Sequence, residues 1–514
     1  MKKVHLTVLG SALCCLFACN KAEKPLTPIP GESATDTALV SKQAINHFVA
    51  EELKSKGRFN WAAATPGMLR SALLYSDSIL TIGYQPAGFR DLDSKLHLID
   101  INSAEWKDAK AAIIRLVEAY EQVSTVRIAY NENRLPVIDV KVTKAATIKA
   151  LRASALVRYA EPGGYGDVMN PDASPRTENI DINTASGCGN NNGETGILNT
   201  NMYKGIFPGA RQSWNYAYHK IDEAWAKTTG SGVKVMIIDT GVSDQQDNLG
   251  SAFNQGASGN RTIEKKVTRP NATPNDACGH GTEMASVCAA PRGTDSASTG
   301  VAYNASLMTV HATDDVFISG NDEIQGVSDA FTMAGDDSTV KIVSMSMGTP
   351  FESGKIKDAV IYARNKGKLI FCAAGTSTYL VAEIANALGI GVVFPAYMNE
   401  VVAVTGIKDN LQDRCDACHT GTQVRFVVVM ERSSDGKHPL SLAMSGDVPS
   451  TVGGSSVATS TCAGIAALVW SRYPADTRDQ ILARMDKAGS LYLNKSDKYG
   501  YGVVDAKAAT LADQ

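Results

Sequence analysis

Several features are scarce in this 514-residue sequence, and their scarcity narrows the functions to consider. The formal net charge is only −3 and no long run of lysine or arginine is present, so nothing indicates a nucleic-acid-binding surface. Beyond the N-terminus no stretch reaches about 18 consecutive apolar residues, so we expect no membrane-spanning helix. No internal repeat is visible. The remaining composition, 44% hydrophobic and 20% charged, is that of a globular protein long enough for two or three domains.

The first 40 residues indicate export. Two lysines precede an apolar stretch over 4–18 that is too short to span a membrane, which is typical of a signal peptide over 1–18. The residues LFAC (16–19) resemble the lipobox of bacterial lipoproteins, which implies cleavage before Cys19 and lipidation of its thiol. The alternative is an ordinary signal peptide with an incidental cysteine. Residues 19–40 are polar with three prolines, so we predict a disordered tether.

Seven of the ten cysteines follow Cys19. An exported chain meets an oxidising compartment, so we expect disulfides, but an odd number of thiols cannot all pair. Three cysteines lie in apolar contexts and are predicted to be buried free thiols: Cys288, Cys372 and Cys462. The pairing of the other four stays open: Cys188, Cys278, Cys415 and Cys418.

From about residue 205 onward, short apolar runs alternate with helical patterns. The runs are VKVMIID (233–239), SLMTVHA (306–312), VKIVSMSMG (340–348), LIFCAAG (369–375) and VVAVTGI (401–407). Amphipathic helices are predicted over 322–335, 354–367 and 477–489. Continuous apolar strands that alternate with helices predict an α/β fold whose mostly parallel sheet is covered on both faces.

The preceding region, 41–163, has a different order of elements. Its second half predicts a strand over 94–101, a helix over 102–122, strands over 123–130 and 135–143, a helix over 144–154 and a strand over 155–162. This β-α-β-β-α-β order is that of a ferredoxin-like α+β domain. A further helix is predicted over Lys42–Lys56. Residues 164–213, rich in Asn, Gly, Ser and Thr, are predicted to form an exposed linker.

Three polar residues stand at the ends of predicted elements in the α/β region. Asp239 ends a buried strand, His280 lies between two glycines before a helix, and Ser456 lies in VGGSSVATS (452–460) before an apolar helix. Each has a structural explanation when taken singly, and 452–460 has the composition of a flexible linker. Together they have the chemistry of nucleophilic acyl transfer, because an imidazole takes the serine proton and a carboxylate orients and stabilises the imidazolium.

These contexts resemble the motifs of the subtilisin-type serine peptidases, the subtilases, over roughly 215–510. VMIIDTGV, CGHGTEMASVCAA and GGSSVATSTCAGIAALV resemble the family's Asp, His and Ser motifs, and YGYGVVDAKAA resembles its closing motif. The resemblance implies a three-layer subtilisin-like catalytic domain over 214–514. It implies that Asp239 orients His280, that His280 acts as base and then acid, and that Ser456 is the nucleophile.

The resemblance also assigns residues around the nucleophile. Thr376 stands where the family has an asparagine whose side chain donates a hydrogen bond to the oxyanion, and losing that donor in subtilisin costs about 10²–10³ in kcat. A threonine hydroxyl has a shorter reach, so Ser377 or another donor is the open alternative. The resemblance further implies that an extended peptide pairs with two strand edges and is cut with broad specificity. These edges are Ser346, Met347 and Gly348 on one side and Ala373, Ala374 and Gly375 on the other.

One motif departs from the family. RCDACHTG (414–421) contains C-x-x-C-H, which is the attachment pattern of c-type haem. It lies between two strands of the catalytic core, and the sequence shows no second axial ligand. A local disulfide, or pairing elsewhere, is therefore the favoured interpretation.

The ferredoxin-like unit over about 94–163 resembles the family's inhibitory propeptide, in its element order and in its YAEP ending (159–162). This resemblance implies an intramolecular chaperone and inhibitor that is separated by cleavage within about 163–213. We therefore predict a self-processed serine endopeptidase, made as a lipoprotein precursor, with polypeptide substrates and a lipid-mediated membrane contact. No cofactor is predicted, and no compact ligand cluster supports an assignable calcium site. A weak or inactive binding protein, suggested by Thr376, and a non-proteolytic acyl hydrolase are the alternatives.

Overall fold

A computed structural model describes residues 38–166, 188–189, 191–377 and 391–511. The predicted signal peptide, the Cys19 lipidation site and nearly all of the predicted tether lie outside these residues. In the part of the chain that is described, no helix is both long and apolar enough to cross a membrane.

Residues 38–166 form an N-terminal unit of helices around a small antiparallel sheet. Its elements are α1 (Lys42–Lys56), α2 (Pro66–Leu74), β1 (Ile79–Tyr84), α3 (Leu92–Lys95), α4 (Ala104–Glu121), β2 (Val137–Lys141), α5 (Ala145–Ala153) and β3 (Val157–Pro162). The strand order is β2-β1-β3, with β1 antiparallel to both neighbours. The predictions of α1, α4, β2, α5 and β3 are confirmed.

The first predicted strand of this unit, over 94–101, is wrong. Residues in that range form α3 and a short 3-10 turn, and the side chain of Leu98 is 73% exposed. The central strand is instead Ile79–Tyr84, whose Leu80, Ile82 and Tyr84 are fully buried. The predicted strand over 123–130 is reduced to a single antiparallel bridge between Ile128 and Val140 at the edge of the sheet.

The catalytic-domain region begins with the hairpin β4 (Tyr203–Gly205) and β5 (Arg211–Ser213) and the short helix α6 (Ile221–Ala224). Strands and helices then follow in this order: β6 (Lys234–Asp239), β7 (Ile263–Val267), α7 (His280–Ala289), β8 (Ser306–His311), α8 (Asn321–Asp336), β9 (Val340–Met345), α9 (Gly354–Asn365), β10 (Leu369–Ala373), β11 (Val402–Lys408), β12 (Val424–Glu431), β13 (Leu440–Leu442), β14 (Pro449–Thr451), α10 (Gly454–Arg472), α11 (Arg478–Lys487) and α12 (Ala506–Ala509).

Seven of these strands form one parallel sheet in the order β12-β11-β10-β9-β6-β8-β7. Alternate residues of a strand face opposite sides of the sheet. In β6, Val235 and Ile237 join a core cluster with residues of α7 and α10, and Met236 and Ile238 join a cluster with residues of α8 and α9. The fold is therefore the predicted three-layer α/β arrangement.

The N-terminal unit packs on the outer surface of α8 and α9. The Lys355 ammonium lies 2.6 Å from the Asp139 carboxylate, with both side chains almost fully buried. The Gly354 N–H, at the first position of α9, donates to Glu161 Oε1 over 2.7 Å. Burial raises the pKa of Glu161 to about 8, although the hydrogen bonds from the backbone of Gly354 and Lys355 oppose this rise. The half-buried Arg158 and the buried Asp358 form a further ion pair at the same interface.

The cysteines of the described residues form two disulfides, Cys188–Cys278 and Cys415–Cys418. The second is the local disulfide, one of the two pairings that the sequence left open for the C-x-x-C-H motif. Cys288, Cys372 and Cys462 are buried and unpaired, which confirms their prediction as free thiols.

Candidate active site

Asp239 and His280 meet at the carboxyl edge of the parallel sheet. Asp239 is the last residue of β6, and His280 is the first residue of α7. Asp239 Oδ1 lies 2.7 Å from His280 Nδ1, and the two residues are only 1% and 4% exposed. A carboxylate can only accept, so Nδ1 donates and carries the proton. In the neutral imidazole, Nε2 is then left as a base.

The electrostatics of this pair suit a general base. Burial is the largest single effect and lowers the pKa of His280. The charge and the hydrogen bond of Asp239, with smaller contributions from Glu283 and Asp276, together outweigh it and raise the pKa above its usual 6.5. Asp239 Oδ1 also accepts the N–H of Thr240 over 2.9 Å, which fixes the carboxylate in place. The imidazolium that forms when His280 takes a proton is therefore stabilised in a site with little water.

Ser456 lies in the first turn of α10, where backbone N–H groups have no partner within the helix. Its hydroxyl donates to the backbone oxygen of Ser346 over 3.3 Å, and the Ser346 hydroxyl donates back to the Ser456 carbonyl over 3.0 Å. Among the described residues the Ser456 hydroxyl has no hydrogen bond with His280. Catalytic hydrogen bonds are often loose before substrate binds and tighten in the complex.

Thr376 contacts Ser455, the residue before Ser456. Its Oγ1 accepts the Ser455 N–H over 2.9 Å and lies 2.9 Å from Ser455 Oγ, which itself accepts the Gly375 N–H over 3.1 Å. One hydroxyl hydrogen joins the two side-chain oxygens. When Ser455 supplies it, the hydrogen of Thr376 stays free to donate elsewhere. Gly454 has φ +81°, and a Cβ there would lie 2.7 Å from Thr376 Oγ1, so a side chain would displace Thr376.

The predicted peptide-binding edges are less open than the sequence suggested. The N–H and C=O of Gly348 pair with Val316 and Ile318 over 3.2 Å each. Ala374 likewise pairs with Val404 and Val393, each over 2.9 Å. A bound peptide could pair at these positions only after those bonds open.

The remaining predicted edge residues divide between the core and the nucleophile. Ala373 lies within β10 opposite Val404, and Met347 is buried with its sulfur accepting from Thr313. Ser346 and Gly375 are the two that contact Ser456 and Ser455 directly. The structure therefore brings only part of the predicted set to the reactive serine.

Asp276, which was not predicted as a site residue, holds the loop before His280 through several hydrogen bonds. Its Oδ1 accepts the N–H groups of Cys278 and Gly279, over 3.0 and 2.7 Å, and its Oδ2 accepts the N–H of Thr282 over 2.8 Å. The Thr240 hydroxyl beside Asp239 also donates to it, over 2.9 Å. Asp276 thus links β6, which ends at Asp239, to α7, which begins at His280. An acid four residues before His280 was the available signal.

Glu283 is a second residue that the sequence analysis passed over. It lies one turn after His280 in α7, and its Oε1 accepts the hydroxyls of Ser441 and Ser450 over 3.2 Å each. Burial raises the pKa of Glu283 to about 8. These two hydrogen bonds therefore connect α7, which begins with His280, to the β13–β14 hairpin, which precedes Ser456 in the chain.

No group of three or more His, Cys, Asp or Glu residues in the described ranges is arranged to hold a metal ion.

Comparisons with known proteins identify the family of this chain. The profile of the Subtilase family matches residues 230–502, more than half of the chain. The "Thermostable alkaline protease" of Halalkalibacterium halodurans is 31% identical over 281 residues, covering 55% of this chain and 68% of the relative. A "Subtilisin" from a Bacillus species is 27% identical over 294 residues, covering 53% of this chain and 66% of the relative. This chain thus spans about two thirds of the length of these curated relatives.

A solved structure shares the fold. Fervidolysin from Fervidobacterium pennivorans, described as a keratinolytic enzyme related to subtilisin, superposes with a TM-score of 0.55 at 18% identity. The superposition covers 84% of this chain and 60% of that chain. At this identity the likeness concerns the fold alone. The extent of the profile match shows that the chain belongs to the subtilase family and is a subtilisin-type serine peptidase.

Proposed function

We propose that this protein is a serine endopeptidase that cuts polypeptides through Asp239, His280 and Ser456 by way of an acyl-enzyme. The observation that carries the proposal is the buried 2.7 Å bond between His280 Nδ1 and Asp239 Oδ1, which leaves Nε2 as the base. Ser456 lies in the first turn of α10. Buried histidine–carboxylate pairs serve this role because the carboxylate fixes the tautomer.

The chemistry proceeds in two halves. Ser456 Oγ attacks the peptide carbonyl carbon while His280 Nε2 takes its proton, and the resulting oxyanion accepts the Ser456 N–H. The Thr376 hydroxyl is the proposed second donor, in the arrangement where its hydrogen is free. His280 then protonates the leaving amine, which produces the acyl-enzyme. In the second half His280 activates a water molecule that releases the acyl group and restores Ser456.

A fluorophosphonate probe tests this proposal directly. Purified wild-type protein should form a covalent adduct at Ser456 and hydrolyse a fluorogenic casein, and Ser456→Ala should do neither. Ser471→Ala is the matched control, since Ser471 lies at the other end of α10 and, within the described ranges, its hydroxyl bonds only to the Ser231 carbonyl. Folded wild-type protein that has lost its N-terminal unit and still takes no label would refute the proposal and favour the weak or inactive binding protein that Thr376 suggests.

We further propose that the N-terminal unit is the inhibitory propeptide of this peptidase. Its support is the docked interface, in which Asp139 and Glu161 place carboxylates against Lys355 and the start of α9. Purified wild-type precursor should separate into two fragments, and the Ser456→Ala precursor should stay intact under the same conditions. Intact-mass measurements over time decide between these outcomes, and equal cleavage of both proteins would contradict self-processing.

The lipoprotein prediction is a separate proposal that rests on the N-terminal sequence alone. Metabolic labelling with an alkyne fatty acid should mark the wild-type precursor and not Cys19→Ala. Cys15→Ala, within the predicted signal peptide, is the matched control and should keep the label. Equal labelling of Cys19→Ala would contradict the proposed anchor.

A further inference from the structure

The C-x-x-C-H motif lies directly behind the segment that contains Thr376. Residues 417–419 run antiparallel to residues 375–377, with a bridge between Thr376 and Cys418. The His419 N–H donates to the Gly375 carbonyl over 2.9 Å, and the Ser377 N–H donates to the Ala417 carbonyl over 2.8 Å. The Cys415–Cys418 disulfide closes the loop on this side. The motif therefore forms a short strand against the segment expected to face the oxyanion.

The His419 side chain adds two more bonds. Its Nδ1 lies 2.9 Å from the Gly391 carbonyl, and its Nε2 lies 2.6 Å from the Ser377 hydroxyl. A carbonyl only accepts, so Nδ1 must carry a hydrogen. Burial lowers the pKa of His419, with a smaller contribution from Arg414, so the ring is neutral near pH 7. Nε2 is then an acceptor, and the Ser377 hydroxyl donates its hydrogen to it.

This assignment excludes one of the two hydroxyls considered as donors to the oxyanion. Ser377, the alternative donor considered from the sequence, has its hydrogen committed to His419. The ring also packs on Gly375, where φ is +123° and an added Cβ would lie 2.4 Å from His419 Nδ1. Gly375 and Thr376 in turn bond to Ser455, the neighbour of the nucleophile. His419 is thus linked through residues 375–377 to the first turn of α10.

We propose that His419 is a positioning residue that holds residues 375–377 in register with the N-terminus of α10. It touches no reacting atom, and it acts by fixing the place of Thr376 relative to Ser455 and Ser456. This inference rests on the proposed peptidase function, because the consequence for rate assumes that Thr376 and the Ser456 N–H stabilise the oxyanion. Small displacements of such groups, of about 1 Å, cost about 10²-fold in rate.

Steady-state kinetics of His419→Phe form the first test. We expect kcat to fall by about 10-fold to 10²-fold, with KM changed much less, because the loss concerns the transition state. His219→Phe is the matched control: His219 is fully buried, its Nδ1 contacts the Val504 carbonyl over 3.0 Å, and its Nε2 accepts the Val429 N–H over 3.1 Å. It should lose stability to a similar degree and keep kcat per folded molecule.

Two further variants separate positioning from general destabilisation. His419→Gln keeps a group that can accept from Ser377 and should recover part of the lost kcat. Ser377→Ala should reduce kcat in the same direction as His419→Phe, and the double variant should be no worse than the poorer single variant, because contacting residues in one network are not additive. Additive losses, or a kcat for His419→Phe equal to that of the His219 control, would overturn the proposal.

Hydrogen exchange supplies a readout that does not depend on catalysis. In His419→Phe, the amides of Gly375 and Ser377 should exchange faster, and in His219→Phe they should match the wild type. Unchanged exchange in His419→Phe would refute the positioning role even if the protein proved inactive. Conversely, faster exchange in His419→Phe, found together with a wild-type protein that lacks Ser456-dependent activity, would contradict the proposed function and keep the structural role of His419.

Discussion

Breaking the buried ion pair between Asp139 and Lys355 should loosen the N-terminal unit from the catalytic domain. The two charged atoms lie 2.6 Å apart, and their side chains are only 2% and 1% exposed. The Thr81 hydroxyl also donates to Asp139 over 2.6 Å. Asp139→Ala leaves the Lys355 ammonium buried, with Gln325 as its remaining hydrogen-bond partner. Removing one partner of a buried pair typically costs about 3–5 kcal/mol.

The assay is urea denaturation of the full-length Ser456→Ala precursor, in which processing does not intervene. Circular dichroism and tryptophan fluorescence together report whether the first transition moves. Asp139→Ala should lower its free energy of unfolding by about 3–5 kcal/mol. Replacing both partners, as Asp139→Leu with Lys355→Met, should cost much less, because no charge is then left unpaired.

An exposed ion pair at the same interface provides the control. Arg134 Nε lies 2.6 Å from Asp336 Oδ2, but the side chains are 56% and 36% exposed. Solvent screens such pairs, so Arg134→Ala should cost less than about 1 kcal/mol. If Asp139→Ala costs no more than Arg134→Ala, burial does not govern the strength of this interface and the reasoning is wrong.

Two further predictions concern catalysis. Thr376→Val should lower kcat by about 10²–10³-fold, which is the cost of losing one oxyanion donor. Thr376→Ser keeps the hydroxyl and should retain most of the wild-type kcat. Equal kcat values for the two variants would show that the hydroxyl is not a donor. Activity should rise with pH as His280 loses its proton, with a midpoint above 6.5 because Asp239 raises the pKa of His280. Asp239→Asn should move this midpoint of kcat/KM to lower pH and reduce kcat by about 10⁴; an unmoved midpoint would contradict the assigned pair.

Local motifs made much of the site predictable from the sequence. Asp239, His280 and Ser456 each lie within a few residues of an element boundary, and the turn chemistry that places them is local. The alternation of apolar strands and helices likewise predicts a parallel sheet without knowledge of its strand order. The 2.7 Å approach of His280 to Asp239 then follows from the fold, which brings the end of β6 next to the start of α7.

Features that depend on contacts between residues distant in sequence could not be predicted from local motifs. The range 94–101 alternates like a strand, but Ile79–Tyr84 takes the central position, and only the pairing with β2 and β3 distinguishes the two segments. The partner of Cys278 is 90 residues away in sequence, and spacing does not identify it. The bond between Ser377 and His419, which removes Ser377 as a free donor, also requires the folded loops to be placed side by side.

Because of the disulfide between Cys188 and Cys278, the position of a processing cut determines whether the two products stay covalently linked. A cut before Cys188 produces two polypeptides with no covalent connection through this bond. A cut between Cys188 and Cys278 leaves a two-chain molecule, whose N-terminal piece stays attached two residues before His280 until a reductant acts. A cut before Cys188 would therefore release the catalytic domain from the N-terminal unit, and a cut just after Cys188 would leave the two joined by the disulfide.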